Sequence, residues 1–165
     1  MPEPEQGTDV YTYKYLVNPL AEKICFMNPN TITALNMLLT PITAYGLYYN
    51  WETNTLILLV LLRQYIDCLD GAVARKCNKS SKFGADLDLT SDSMYSAAIN
   101  MTFLYILYIN NNPYKYHAFI FFSLYLILQK HNFTITNEID TITHDNLLLV
   151  STITMYIMKE IIAIQ

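Results

Sequence analysis

Five aspartates, Asp67, Asp70, Asp86, Asp88 and Asp92, fall within residues 67–92, DCLDGAVARKCNKSSKFGADLDLTSD. Their spacing decides which can act together. On helices, Asp67 and Asp70 stand at i, i+3 and Asp88 and Asp92 at i, i+4, so each pair shares a face. Asp86 points elsewhere by phase. Two such helices facing each other would gather four carboxylates, which must then protonate or bind cations. Hard divalent ions such as Mg2+ or Mn2+ take oxygen ligands of this kind. Two ions can clamp a diphosphate and stabilise the leaving oxygen of an in-line displacement. A remaining carboxylate can take a proton from an attacking hydroxyl. Gly71 and Ala74 lie close to the Asp67/Asp70 face and leave room for a ligand against the backbone. Arg75, one residue on, either pairs with a phosphate or is a surface arginine. The bland alternative for the whole stretch is a solvated acidic loop.

The elements that would carry these residues are apolar. Hydrophobic residues make up 53% of the 165 and charged residues 15%, against nearer a quarter charged in soluble domains. Tyrosine is abundant at 14 residues and suits a boundary between oil and water. Residues 31–49 carry no charge, which is long enough to span a bilayer. Residues 54–68 are apolar apart from Arg63, Gln64 and Asp67, and residues 93–109 are uncharged. Residues 116–128 are short but aromatic, and residues 147–164 are apolar except for Lys159 and Glu160. Five runs joined by tight links at 50–54 and 110–114 point to an all-α, polytopic helical membrane protein with about five transmembrane helices. Each run alone would also fit a buried helix of a soluble protein. A β-barrel does not fit, because the runs do not alternate.

Residues 10–27 are mixed. Asn18 followed by Pro19 reads as a helix start, and Leu16, Leu20, Ile24 and Met27 fall near one face. That fits an interfacial amphipathic helix or an ordinary helix packed on a core. The chain therefore divides into a tail and interfacial helix at 1–27 and a transmembrane domain at 28–165. Lys14, Lys23, Arg75, Lys76, Lys79, Lys82 and Lys130 fall on one side of the spans and only Lys115 on the other, which sets the aspartates at the cytoplasmic face. The sequon Asn132-Phe133-Thr134 then also faces the cytoplasm and stays unglycosylated. The acidic N-terminus, MPEPEQGTD, lacks the parts of a secretory signal.

Net charge is −4 with no basic block, so nucleic acid is not an expected partner. Cys25, Cys68 and Cys77 show no CxxC spacing and read as thiols in a reducing compartment. His117, His131 and His144 are scattered and read as structural or surface residues.

The fixed positions run Asp67-x2-Asp70-Gly71-x2-Ala74-Arg75-x8-Gly84-x3-Asp88-x3-Asp92. This pattern resembles the signature of the CDP-alcohol phosphotransferase family, with all eight positions filled. A chance match at a given start has a probability of about 10^-9 or smaller at ordinary residue frequencies. Upstream, Pro29-Asn30-x-Ile32-Thr33 resembles the opening of the family's first span. TYKYLVNPL is similar to the lead-in of the choline and ethanolamine phosphotransferases. SSKFGADLD is closer to phosphatidylserine and phosphatidylinositol synthases. Clear similarity covers about residues 28–95.

The resemblance implies an integral membrane enzyme that moves a phosphoalcohol unit from a CDP-linked donor to an acceptor hydroxyl, releasing CMP. It implies Asp67, Asp70 and Asp88 as metal ligands, and Asp92 as the base that also touches a metal. Gly71, Ala74, Arg75 and Gly84 would line the CDP pocket, and two Mg2+ or Mn2+ ions would be the cofactors. The family's core has six spans and five are placed here; a homodimer would supply the missing wall of the acceptor pocket. CDP-diacylglycerol with a small polar acceptor is the preferred substrate pair, and CDP-choline or CDP-ethanolamine with diacylglycerol is the alternative. From other classes, a non-catalytic CDP- and metal-binding scaffold or sensor stands as the rival, and a divalent-cation carrier as a third reading.

Overall fold

A computed structural model of the chain describes residues 13–120 together with Ser123, Ile157, Lys159 and Glu160. A π-helical turn at Tyr13–Val17 leads into α1 (Asn18–Lys23). It is followed by α2 (Pro29–Met37), α3 (Leu39–Tyr48), α4 (Thr53–Lys76) and α5 (Lys82–Ile109). The chain is helical again at 115–120. No strand occurs among the described residues, in line with the all-α expectation.

The helix ends follow from residue type. Asn28 caps α2 by accepting a hydrogen bond from the Asn30 backbone N–H at 3.0 Å, with Pro29 in the first turn where its missing N–H costs nothing. Ser81 caps α5 by accepting from Gly84 N–H at 3.0 Å. At the other ends, asparagine takes the part glycine usually plays. Asn50, Asn78 and Asn111 have φ of 55°, 53° and 52°, the left-handed turn that ends a helix. At each, two backbone bonds close the end: Asn50 and Trp51 N–H to the Leu47 and Gly46 carbonyls, Asn78 and Lys79 to Arg75 and Ala74, Asn111 and Asn112 to Tyr108 and Leu107.

The first uncharged run is not one unbroken helix. It divides at Leu38 into α2 and α3. Pro41 explains the division, because it cannot donate to the Met37 carbonyl and its ring crowds that oxygen. Among the described residues, no helix is both long and apolar enough to cross a membrane: Arg63, Asp67 and Asp70 interrupt α4, and the first third of α5 is polar. The runs at 116–128 and 147–164 lie largely outside the described residues, as do the sequon and His131 and His144.

Two cores hold the helices, and along α4 Asp67 falls between them. Leu47 of α3, Leu56 and Val60 of α4, and Ile99, Phe103, Ile106 and Leu107 of α5 form one. Val17, Ala21 of α1, Ile32 of α2, and Leu69, Ala72 and Val73 of α4 form the other. The valines, leucines, isoleucines and phenylalanine among them contribute about 1.5–3 kcal/mol each when fully buried. α2 packs on both α4 and α5 and so bridges the two long helices.

The lead-in differs from expectation in two respects. Asn18 does not cap: Val17 holds the cap position in helical geometry with no side-chain bond. The buried face is Val17 and Ala21, Leu16 being exposed, while Leu20, Ile24 and Met27 pack at the cluster's edge. The cysteine reading is also corrected. Cys25, just beyond α1, and Cys77, at the end of α4, form a disulfide with Cα atoms 5.6 Å apart. Docking α1 along α4 brings the two ends together, which spacing alone does not reveal.

Candidate active site

α4 supplies Arg63, Asp67 and Asp70 on successive turns, and α5 supplies Asp88 and Asp92 from its first three turns. One carboxylate oxygen each from Asp67, Asp88 and Asp92 lies within 4.8 Å of the others, all three residues being partly buried. Three of the four expected carboxylates therefore meet across the gap between α4 and α5. Asp86 is exposed on another face, as its phase requires.

Asp70 is the exception among the four. It is buried at 3% exposure and turned toward α2, where Thr33 Oγ1 donates to its Oδ2 at 2.6 Å. α2 also reaches Asp67, whose Oδ1 accepts from Asn36 Nδ2 at 3.2 Å. Asn36 is fully buried, and its Oδ1 has no partner among the described residues.

Arg63 was legible only as an interruption of an apolar run, yet it belongs to this cluster. Its Nη2 donates to Asp92 Oδ1 at 2.6 Å and lies 3.9 Å from Asp67 Oδ1. Its guanidinium stacks on the Tyr95 ring at 4.1 Å. Two signals point to it: it precedes Asp67 by four residues and so shares its helix face, and a charge inside an apolar run marks function. Thr33 and Asn36, one turn apart on α2, are the other residues whose part in the site the sequence leaves unread.

The expected pocket residues fall around this centre. Gly71 lies under Arg75: a Cβ there would sit 3.2 Å from Arg75 Nη1. The Arg75 guanidinium lies 5.4 Å from the centre of the Tyr13 ring, and burial pushes the Tyr13 hydroxyl above its usual range. Ala74 is half-buried beside it. Gly84 lets the start of α5 approach α2, since a Cβ would lie 3.0 Å from Asn30 Oδ1.

Three negative charges this close repel by several kcal/mol even in a partly polar medium. Arg63 offsets one of them. The remaining charge and the all-oxygen donor set suit a hard divalent cation. The residues present fit a Mg2+ or Mn2+ site.

A family model described as CDP-alcohol phosphatidyltransferase matches residues 26–164. An archaetidylinositol phosphate synthase of Pyrococcus horikoshii is 37% identical over 73 residues, 44% of this chain and 38% of that protein. A CDP-diacylglycerol–glycerol-3-phosphate 3-phosphatidyltransferase of Pseudomonas fluorescens is 38% identical over 71 residues, 42% of this chain and 36% of that protein. A CDP-diacylglycerol–inositol 3-phosphatidyltransferase of Schizosaccharomyces pombe is 32% identical over 69 residues, 42% of this chain and 28% of that protein. The matched stretch thus spans well under half the length of each of these relatives. No solved structure matches the chain.

Proposed function

The chain belongs to the CDP-alcohol phosphatidyltransferase family, and from that premise we propose that it transfers a substituted phosphate from a CDP-alcohol to an alcohol acceptor in phospholipid synthesis. The observation that carries the proposal is the meeting of Asp67, Asp88 and Asp92 oxygens within 4.8 Å across two helices. CDP-diacylglycerol is the proposed donor, because the relatives in P. fluorescens and S. pombe are named for it. A small polar acceptor follows from the same names. The alternative pair, CDP-choline or CDP-ethanolamine with diacylglycerol, rests on the likeness of the lead-in helix.

In the proposed reaction the acceptor hydroxyl oxygen forms a bond to the phosphorus that bears the donor alcohol. The bond from that phosphorus to the CMP oxygen breaks, and CMP leaves with the electron pair. Asp92 takes the hydroxyl proton; its side chain is 43% exposed and is the most accessible carboxylate of those paired with Arg63. Asp67, Asp88 and Asp92, with Asp70 behind them, would hold Mg2+ or Mn2+, which supplies charge neutralisation for the diphosphate and stabilises the leaving oxygen. Thr33 and Asn36 fix the Asp70 and Asp67 carboxylates. Gly71, Ala74 and Gly84 give the nucleotide access to the backbone, and Arg75 is placed to pair with a phosphate.

The proposal includes a membrane setting, with the site at the cytoplasmic face. Its supports are the uncharged runs, the lysine and arginine asymmetry, and exposed apolar side chains, among them Leu35, Leu38, Leu58, Leu62 and Met101.

Release of CMP tests the function. The full chain in detergent with Mg2+ or Mn2+ is offered CDP-diacylglycerol, then CDP-choline, against a panel of alcohols. Release that depends on one acceptor supports the proposal and identifies the pair. A folded preparation that binds CDP-alcohol and never releases CMP supports the scaffold reading instead.

A further inference from the structure

We propose that Arg63 is a positioning residue that holds Asp92 from the buried side, leaving its second oxygen to face the open side of the site. The hold is geometric. Arg63 Nη2 lies 2.6 Å from Asp92 Oδ1, and the arginine side chain is 5% exposed where the aspartate side chain is 43% exposed. The guanidinium therefore grips the inner part of the carboxylate. Tyr95, three residues beyond Asp92 on α5, stacks on the guanidinium at 4.1 Å and removes its freedom to swing. A hydrogen bond between two charged groups is among the stronger kinds, and here both ends are fixed.

Two features set Arg63 apart from a packing residue. A buried arginine is costly unless paired, and this one, at 4% exposure in an apolar stretch of α4, is paired with the carboxylates. A leucine would fill α4 at lower cost, so the charge is retained for its partners. Further, the same nitrogen lies 3.9 Å from Asp67 Oδ1, so a single cation ties the α4 carboxylate to the α5 carboxylate. It lowers the repulsion that would splay the two helices, and it weakens the triad's hold on a divalent ion. Arg63 thus trades metal affinity for a fixed Asp92.

The part in turnover rests on the reading of Asp92 as the base; the effect on metal binding does not. Both are measured on the full chain in detergent. Mn2+ is titrated by electron paramagnetic resonance with no CDP-alcohol present, and CMP release is followed separately. Arg63→Gln should bind Mn2+ about tenfold more tightly, since a neighbouring positive charge is gone. It should release CMP about 100-fold more slowly, with KM for the CDP-alcohol within about threefold of wild type. Arg63→Lys keeps the charge and should show wild-type Mn2+ affinity with intermediate turnover. Tighter Mn2+ with slower turnover cannot come from a damaged fold, which would weaken both. Arg63→Gln that binds Mn2+ no more tightly than wild type overturns the proposal, as does Arg63→Gln with unchanged turnover. Should Arg63→Gln fail to fold, Arg63→Lys decides: weakened Mn2+ binding, or turnover abolished, overturns it. Should the wild-type chain release no CMP with any acceptor, the transferase reading fails, and the Mn2+ titration still tests the arginine.

Discussion

Thr33 Oγ1 donates to Asp70 Oδ2 at 2.6 Å and joins α2 to α4 at a buried point. The same hydroxyl lies 3.2 Å from the Pro29 carbonyl, but one proton serves one acceptor best, and the carboxylate carries the charge. Thr33→Val keeps the shape and removes the donor. Asp70, at 3% exposure, then loses its partner from α2, a loss of about 1.5–3 kcal/mol for a bond to a charged group. The expected outcome is a clearly lowered thermal midpoint for Thr33→Val in detergent and a near wild-type one for Thr33→Ser. Equal midpoints for the two would show that the hydroxyl does not hold Asp70.

Asp92→Asn separates enzyme from binder. The amide retains the shape and an oxygen, but it cannot accept the acceptor's proton. CMP release should fall by about 10^2 to 10^4, the usual worth of general base catalysis, while CDP-alcohol binding weakens by no more than about tenfold, the effect of one charge lost beside the metal site. Asp86→Asn, on an exposed and separate face, should leave release unchanged. An Asp92→Asn chain that still turns over at the wild-type rate would remove Asp92 from the chemistry.

Much of this site is legible in the spacing of residues, and the reasons differ by residue. Asp88 and Asp92 meet Asp67 because helical phase alone puts each pair on a face, and α2 bridges the two helices that carry them. Asp70 departs because its direction is set by Thr33, distant in sequence, which no local pattern encodes. The division of the first run is readable from Pro41, and the ends of α3, α4 and α5 from the asparagines that follow them. The Cys25–Cys77 bridge is not readable, since it needs α1 to be laid along α4. Arg63 is the instructive omission: periodicity places it on the Asp67 face, but only the fold brings Tyr95 beneath it.

Glycine substitutions at two helical positions should diverge. A Cβ on Gly46 would lie 2.7 Å from Trp51 Cε3 and 3.1 Å from Leu56 Cδ2, against a ring held by the turn after α3. Gly46→Ala must displace that ring, a cost of about 1–3 kcal/mol set against about 1 kcal/mol gained in helix propensity. A Cβ on Gly71 meets only the end of the Arg75 side chain, 3.2 Å away, which can move. Gly71→Ala should therefore keep or raise the thermal midpoint and instead weaken CDP-alcohol binding. Thermal scans and a binding titration on both variants check this. A Gly71→Ala chain with wild-type affinity would remove that glycine from the nucleotide pocket.

The Cys25–Cys77 bridge ties the lead-in helix to the end of α4, ten residues beyond the first site aspartate in the sequence. Lys79 reinforces the same joint by donating to the Cys25 and Met27 carbonyls. The joint thus has one part that depends on redox state and one that does not. Closing a loop of sequence separation 52 contributes about 4 kcal/mol by chain entropy, at the upper end of what such bridges deliver. Reductant should accordingly lower the thermal midpoint of the wild-type chain. The double variant Cys25→Ala, Cys77→Ala should start at the lowered value and ignore reductant, and Lys79→Ala should lower it further. A reducing cytoplasm keeps most thiols unbridged, so a site at that face and the Cys25–Cys77 bridge of the structure cannot both hold in the cell. Rapid alkylation before lysis reads their state directly. Cys25 and Cys77 found bridged in cells would place the aspartates on the oxidising side of the membrane, and with them the face from which the donor must enter.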